Sequence, residues 1–168
     1  MIASVSPILV ASCGNVMATD DGFGPAVIAA LQQHNLPGVQ AINLDIRPAA
    51  LLDYLADRKA LILVDAALSP DCRAGQLLDM DWHDPQRPPL VDDDALSTHG
   101  LSISSQLELA ARLRLAPKTV RLIAATIGSV EHGPCIGEMV RDLIKPAVHV
   151  IAGHALKWMD DLGGKPHA

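Results

Sequence analysis

Aromatic side chains are nearly missing from this chain, with one Phe, one Tyr and two Trp in 168 residues. Platforms on which single-stranded nucleic acid stacks are therefore lacking, and the core has to be built from Ala, Leu, Ile and Val. Positive charge is also short: thirteen Lys and Arg stand against nineteen Asp and Glu, a formal net charge of −6. Without a basic footprint the chain offers little to a phosphate backbone, and no nucleic acid is expected as a partner. Cysteine is scarce. Cys13, Cys72 and Cys135 are odd in number and widely spaced, neither a disulfide framework nor a paired metal clip, and they read as reduced thiols. No basic residue precedes Arg47, so the charged start of a signal peptide is missing, and no apolar run approaches the length that crosses a bilayer. The expectation is a cytoplasmic protein with no membrane contact.

Apolar residues make up 49% and charged residues 19%, ordinary globular usage. A chain of this length suits one domain over residues 1–168, burying roughly 70% of its unfolded surface. Nothing in it demands more than a monomer.

The run Ile8-Leu9-Val10-Ala11, closed by Gly14-Asn15, reads as a buried strand ending near Cys13. Pro25 suits a first helical turn, and Val27, Ile28, Ala30 and Leu31 give a helix stopped by Pro37-Gly38. Val39 to Asp45 reads as a second strand, and Leu51, Leu52 and Leu55 after Pro48 as a short helix. Ala60 to Asp65 is a third strand, the most hydrophobic, with a carboxylate as its last residue. Gly75 to Asp81 has strand character, and Trp82 to Ser97, with three prolines and Asp92-Asp93-Asp94, reads as one long mobile loop. Ile103, Leu107, Ala110 and Ala111 share a helical face, Thr119 to Ile127 is strand-like, and Ile136, Val140, Leu143 and Ile144 form another apolar stripe. Pro146 is expected to kink or divide the last helix, which continues through Val148, Ile151, Ala155 and Met159 to Gly163-Gly164. Alternation of strands and helices predicts an α/β fold, helices covering both faces of a mostly parallel sheet.

Ligands in such sheets sit at the carboxyl ends of the strands. Asp20-Asp21 follows the first strand, Asp45 the second and Asp65 the third, while His99 precedes a helix on the same edge. The glycines from Gly14 to Gly24 do not have dinucleotide-binding spacing, and paired acids at a helix start would repel pyrophosphate. One acid suffices as a helix cap, which leaves the second unexplained. Singly, Asp65 also suits a turn and His99 a cap or surface position. Together, Asp21, Asp65 and His99 make an oxygen and nitrogen donor set for a borderline divalent ion with open positions for water or substrate. His132 and Cys135 are a weaker alternative, a nucleophile and base without a third group to orient the histidine. His83, His149, His154 and His167 read as structural or surface groups.

Cys13-Gly14-Asn15, Thr19-Asp20-Asp21-Gly22-Phe23-Gly24, Leu63-Val64-Asp65-Ala66 and Ser97-Thr98-His99-Gly100-Leu101 resemble, in order and spacing over residues 8–160, the hydrogenase maturation endopeptidases. That family trims the C-terminal extension of the large subunit of nickel-iron hydrogenases. The resemblance implies a three-layer α/β/α sandwich with a five-stranded, mostly parallel twisted sheet, and places Asp21, Asp65 and His99 at the family's catalytic and metal-ligand positions. It further implies that nickel belongs to the precursor and is recognised there, with no permanently bound cofactor, and that the cut follows a histidine of the precursor's metal-binding motif. The chain departs from the family in having Ser12 in place of glycine and Asp45-Ile46-Arg47-Pro48 in place of Asp-Gly-Gly. Arg47 is left to meet either a precursor carboxylate or water. A non-catalytic metal-binding assembly factor for hydrogenase is the reading from another class, since no nucleophile is recognised.

Overall fold

The computed structural model describes residues 5–13, 22–45, 47–68, 72–87, 103–127 and 137–163. Five strands form one sheet: β1 (Ile8–Ser12), β2 (Val39–Asn43), β3 (Ala60–Leu68), β4 (Leu77–Asp81) and β5 (Thr119–Ile127), in the order β2-β1-β3-β5-β4. All neighbours are parallel except β4, which runs antiparallel along β5 at the edge. The expected α/β sandwich with a mostly parallel sheet is therefore present.

Two apolar layers explain why these segments settle where they do. Alternation along the strands sends Ile8, Val10, Ile62, Val64, Ile123 and Ala125 to one face, where they meet Phe23, Val27, Ile28 and Leu31 of α1 (Phe23–His34). Ala147, Ile151 and Ala155 of α5 (Ile144–Gly163) complete that layer, with Val140 of α4 (Glu138–Arg141). The opposite face carries Leu9, Ala11, Leu61, Leu63, Leu122 and Ala124. It is covered by Leu51 of α2 (Leu51–Tyr54), which follows a 3-10 turn at Pro48–Ala50, and by Leu107 and Ala110 of α3 (Ile103–Arg112). Phe23 apart, the residues named in both layers are aliphatic, in keeping with the shortage of aromatics.

Several boundaries differ from the sequence expectation. Asp65 does not end β3, because Ala66, Ala67 and Leu68 keep pairing with Ala125, Thr126 and Ile127 of β5. β2 stops at Asn43, and Asp45 lies beyond it in a left-handed turn (φ +56°). Pro146 kinks nothing: it is the third residue of α5, where its missing N–H has no partner to lose, and the division from α4 falls before it. Trp82 packs partly against the α3-side core with the Arg87 guanidinium 4.4 Å from its ring centre, so the segment expected to be one loop begins with an anchored turn. Residues 88–102, the remainder of that segment, lie outside the described residues.

Candidate active site

The order of strand addition reverses between β1 and β3, which run parallel: β2 lies on one side of β1, and β3 with everything after it on the other. At such a switch point the two crossovers leave in opposite senses, opening a crevice at the carboxyl ends of the strands. β1 pairs with β3 only as far as Ser12 opposite Val64. Asp65 is thus the first residue of β3 past that ladder, half-buried and opposite Ala124 of β5. Its Oδ1 accepts the Ala66 N–H at 2.8 Å, which fixes one carboxylate oxygen by its own backbone. Leu63 and Ala67 flank it in the α2/α3 layer, so strand alternation puts Asp65 on that face.

The first turn of α1 closes in from the other face. A side chain at Gly24 would put its Cβ 2.8 Å from Ser12 Cβ and 2.9 Å from the Val64 carbonyl oxygen, so only glycine lets the helix approach β1 and β3 this closely. The sequence that follows Asp21 is therefore packed one residue away from Asp65. Beside it, the exits of β1 and β2 are tied together. Ser12, 1% exposed, donates through Oγ to Asn43 Oδ1 at 3.0 Å, and the same oxygen accepts the Asp45 N–H at 3.1 Å. Leu44 N–H donates to Ser12 O at 2.8 Å, and the Cys13 thiol to Asp45 O at 3.0 Å. The serine that departs from the resemblance is thereby accounted for: its hydroxyl joins the two strands.

The far side of the same edge is organised by Thr126, fully buried in β5, whose Oγ1 donates to Arg73 O at 2.5 Å and accepts the Gln76 N–H at 2.8 Å. Because β4 runs antiparallel, its entry turn around Gly75 (φ +80°) stands at the carboxyl edge, next to Met139 of α4.

Asp21, His99, His132 and Cys135 lie outside the described residues, so of the sequence-derived trio the fold locates Asp65. Among the described residues no group of three or more His, Cys, Asp or Glu is arranged to hold a metal ion. His154, read as a structural or surface group, has a structural role with a defined partner. Its Nε2 lies 2.8 Å from Asp79 Oδ2, while Arg121 Nε donates to Asp79 Oδ1 at 2.7 Å, and Trp158 stacks on the imidazole at 5.5 Å. This cluster fastens α5 to β4 and β5 on the face opposite Asp65. Away from the site, Arg58 donates to Tyr54 O and Ser6 O and to Gln40 Oε1, and burial lowers its pKa from the ordinary guanidinium value.

Comparison with known proteins defines first a class: the fold is that of α/β/α maturation peptidases. The E. coli hydrogenase maturating endopeptidase HybD superposes with a TM-score of 0.74 at 24% identity, covering 89% of this chain and 92% of that one. Among curated relatives, the hydrogenase 2 maturation protease of E. coli strain K12 is 27% identical over 146 residues, 86% of this chain and 87% of its own length. The hydrogenase expression/formation protein HupD of Thiocapsa roseopersicina is 26% identical over 162 residues, 93% of this chain and 69% of its own. No family model matches the chain. The resemblance read from the sequence holds in these relatives: the chain is similar to the hydrogenase maturation proteases along most of its length, and it is a hydrolase.

Proposed function

We propose that this protein is the endopeptidase that removes the C-terminal extension of a nickel-loaded nickel-iron hydrogenase large-subunit precursor. One observation carries the reading. A carboxylate, Asp65, stands at the switch point of the sheet where the β1 ladder ends, in the crevice where an α/β sheet binds its ligand. The packing of Gly24 on Ser12 and Val64 supports adding Asp21, three residues earlier in sequence, and His99 enters through the motif resemblance.

Nickel enters as part of the substrate. Two carboxylates and one imidazole suit a borderline divalent ion and leave positions for water and the scissile carbonyl. Peptide hydrolysis needs an activated water, a polarised carbonyl and a proton for the leaving amine. The ion supplies the first two as a Lewis acid, or it positions the bond while a carboxylate takes the proton from water. Recognition of the ion checks that the precursor has been loaded before its tail is cut. The protein acts in this reading as a cytoplasmic monomer with one domain over residues 1–168. Among the described residues no helix is long and apolar enough to cross a membrane.

The test is a gel-resolved cleavage assay on nickel-loaded and nickel-free precursor, with folding followed by circular dichroism. Wild-type protein should shorten only the loaded form. A protein that binds the precursor and never cuts it would be the non-catalytic assembly factor instead.

A further inference from the structure

The apolar pattern of α3 assigns Ile103, Leu107, Ala110 and Ala111 to its buried face, but Ala111 is exposed and Gln106 takes its place at 1% exposure. Gln106 is the one buried side chain among the described residues with a polar nitrogen left unsatisfied: its Nε2 has no hydrogen-bond partner there. A buried N–H2 group that has given up water and gained nothing is unfavourable, and an apolar side chain of similar shape would suit the free protein better.

Its place in the fold suggests what the amide is for. α3 packs against the 3-10 turn at Pro48–Ala50, which follows the carboxyl end of β2, and its last turn leads to the start of β5 at the amino end of the sheet. Gln106, fourth in α3, therefore lies in the half of the helix nearer the carboxyl edge. It is on the sheet face that carries Leu63, Asp65 and Ala67. A neutral amide donor pairs with a neutral acceptor without stranding a charge, and peptide carbonyls are the most frequent such acceptors along a bound chain.

We propose that Gln106 is a substrate-binding residue whose Nε2 donates to a main-chain carbonyl of the precursor's C-terminal peptide. The inference rests on the endopeptidase reading above. With three side-chain torsions the carboxamide can turn from its unpaired position to the peptide. Binding then gives the nitrogen a hydrogen bond without breaking one, so the contact contributes its full value to affinity.

Gln106→Met keeps the length and removes the donor, and Gln106→Asn keeps a donor one methylene short. Thermal melts and precursor titrations by calorimetry, beside the cleavage assay, separate the outcomes. The proposal expects Gln106→Met to melt at or above the wild-type temperature, to bind the nickel-loaded precursor about five- to tenfold more weakly, and to raise KM by that factor with kcat within twofold. Gln106→Asn should fall between the two. A lower melting temperature for Gln106→Met would mean that the amide already has a partner in the free protein, and would overturn the proposal. Unchanged Kd and KM would overturn it as well. Wild-type protein that binds without cutting sinks the endopeptidase reading alone, and the Kd of the Met variant then still decides the role of Gln106. Wild-type protein that does neither sinks both.

Discussion

At the scale of single residues, a missing side chain does as much for the site as any present one. Gly24 lets α1 settle onto Ser12 and the Val64 carbonyl, and that carbonyl belongs to backbone that cannot move aside without breaking the β1–β3 ladder. Gly24→Ala should cost about 1–3 kcal/mol by overpacking, despite alanine's better helix propensity, and urea unfolding at constant m-value checks this. Asp65→Asn, by contrast, preserves shape and removes charge. Together with Asp21→Asn and His99→Ala it should lower cleavage at least about 100-fold while the melting temperature stays within a few degrees. Cys135→Ser should leave cleavage nearly intact. Loss of activity in the Cys135 variant with retention in Asp21→Asn would replace the metal site by a thiol nucleophile. The motif around Asp65 was legible because a carboxylate next to an apolar run is conspicuous. Ser12 was not, because the value of its hydroxyl depends on Asn43, 31 positions away. Gln106 escaped for a related reason: hydropathy assigns polar residues to water, whereas its burial is set by elements remote in sequence.

Among the elements, the buried strands were the easiest to read. β5 matches its expected span of Thr119 to Ile127, since a run of β-branched, aliphatic and small residues broken only by Arg121 leaves a central strand little choice. β3 was read three residues short because Asp65 resembles a terminator, yet pairing with β5 carries the strand onward. The helix faces followed from periodicity except in α3, where Ala111 is exposed and Gln106 is buried, and the α4–α5 division was placed at Pro146 when the proline in fact sits in the first turn of α5. Thr126 shows what holds elements together beyond pattern. Its hydroxyl accepts the Gln76 N–H and donates to Arg73 O, joining the end of β5 to the entry of β4. Thr126→Val keeps the volume and leaves that N–H unsatisfied in a buried place, so a loss of about 1–3 kcal/mol is expected from chemical denaturation.

For the molecule as a whole, stability depends on two thin aliphatic layers, one on either side of a single sheet. α5 spans the first of them, with Ile151 fully buried between α1 and the strands. Ile151→Ala should cost about 2–5 kcal/mol. Since one sheet serves both layers, unfolding should remain a single transition when followed by fluorescence and by circular dichroism. A split transition would show that the α2/α3 layer melts independently. The exposed edges are guarded by charge and amide groups, Asp79 and Asp81 on β4 and Gln40 and Asn43 on β2, which discourages pairing with other chains.

The thiol of Cys13 offers a use that no other part of the site does. Half-buried where β1 ends, it is bonded to the Asp45 carbonyl, so a thiol reagent gains full access to it when the β1 and β2 exits part. Its labelling rate is a natural clock for the breathing of the switch-point crevice. Compared with Cys72, also half-buried but in the segment before β4, that clock should slow selectively when nickel-loaded precursor fills the crevice. An equal slowing of both thiols would signal general tightening of the protein instead. Occupancy of the crevice by the substrate can thus be read through a cysteine the chain already carries, with no substitution to introduce one.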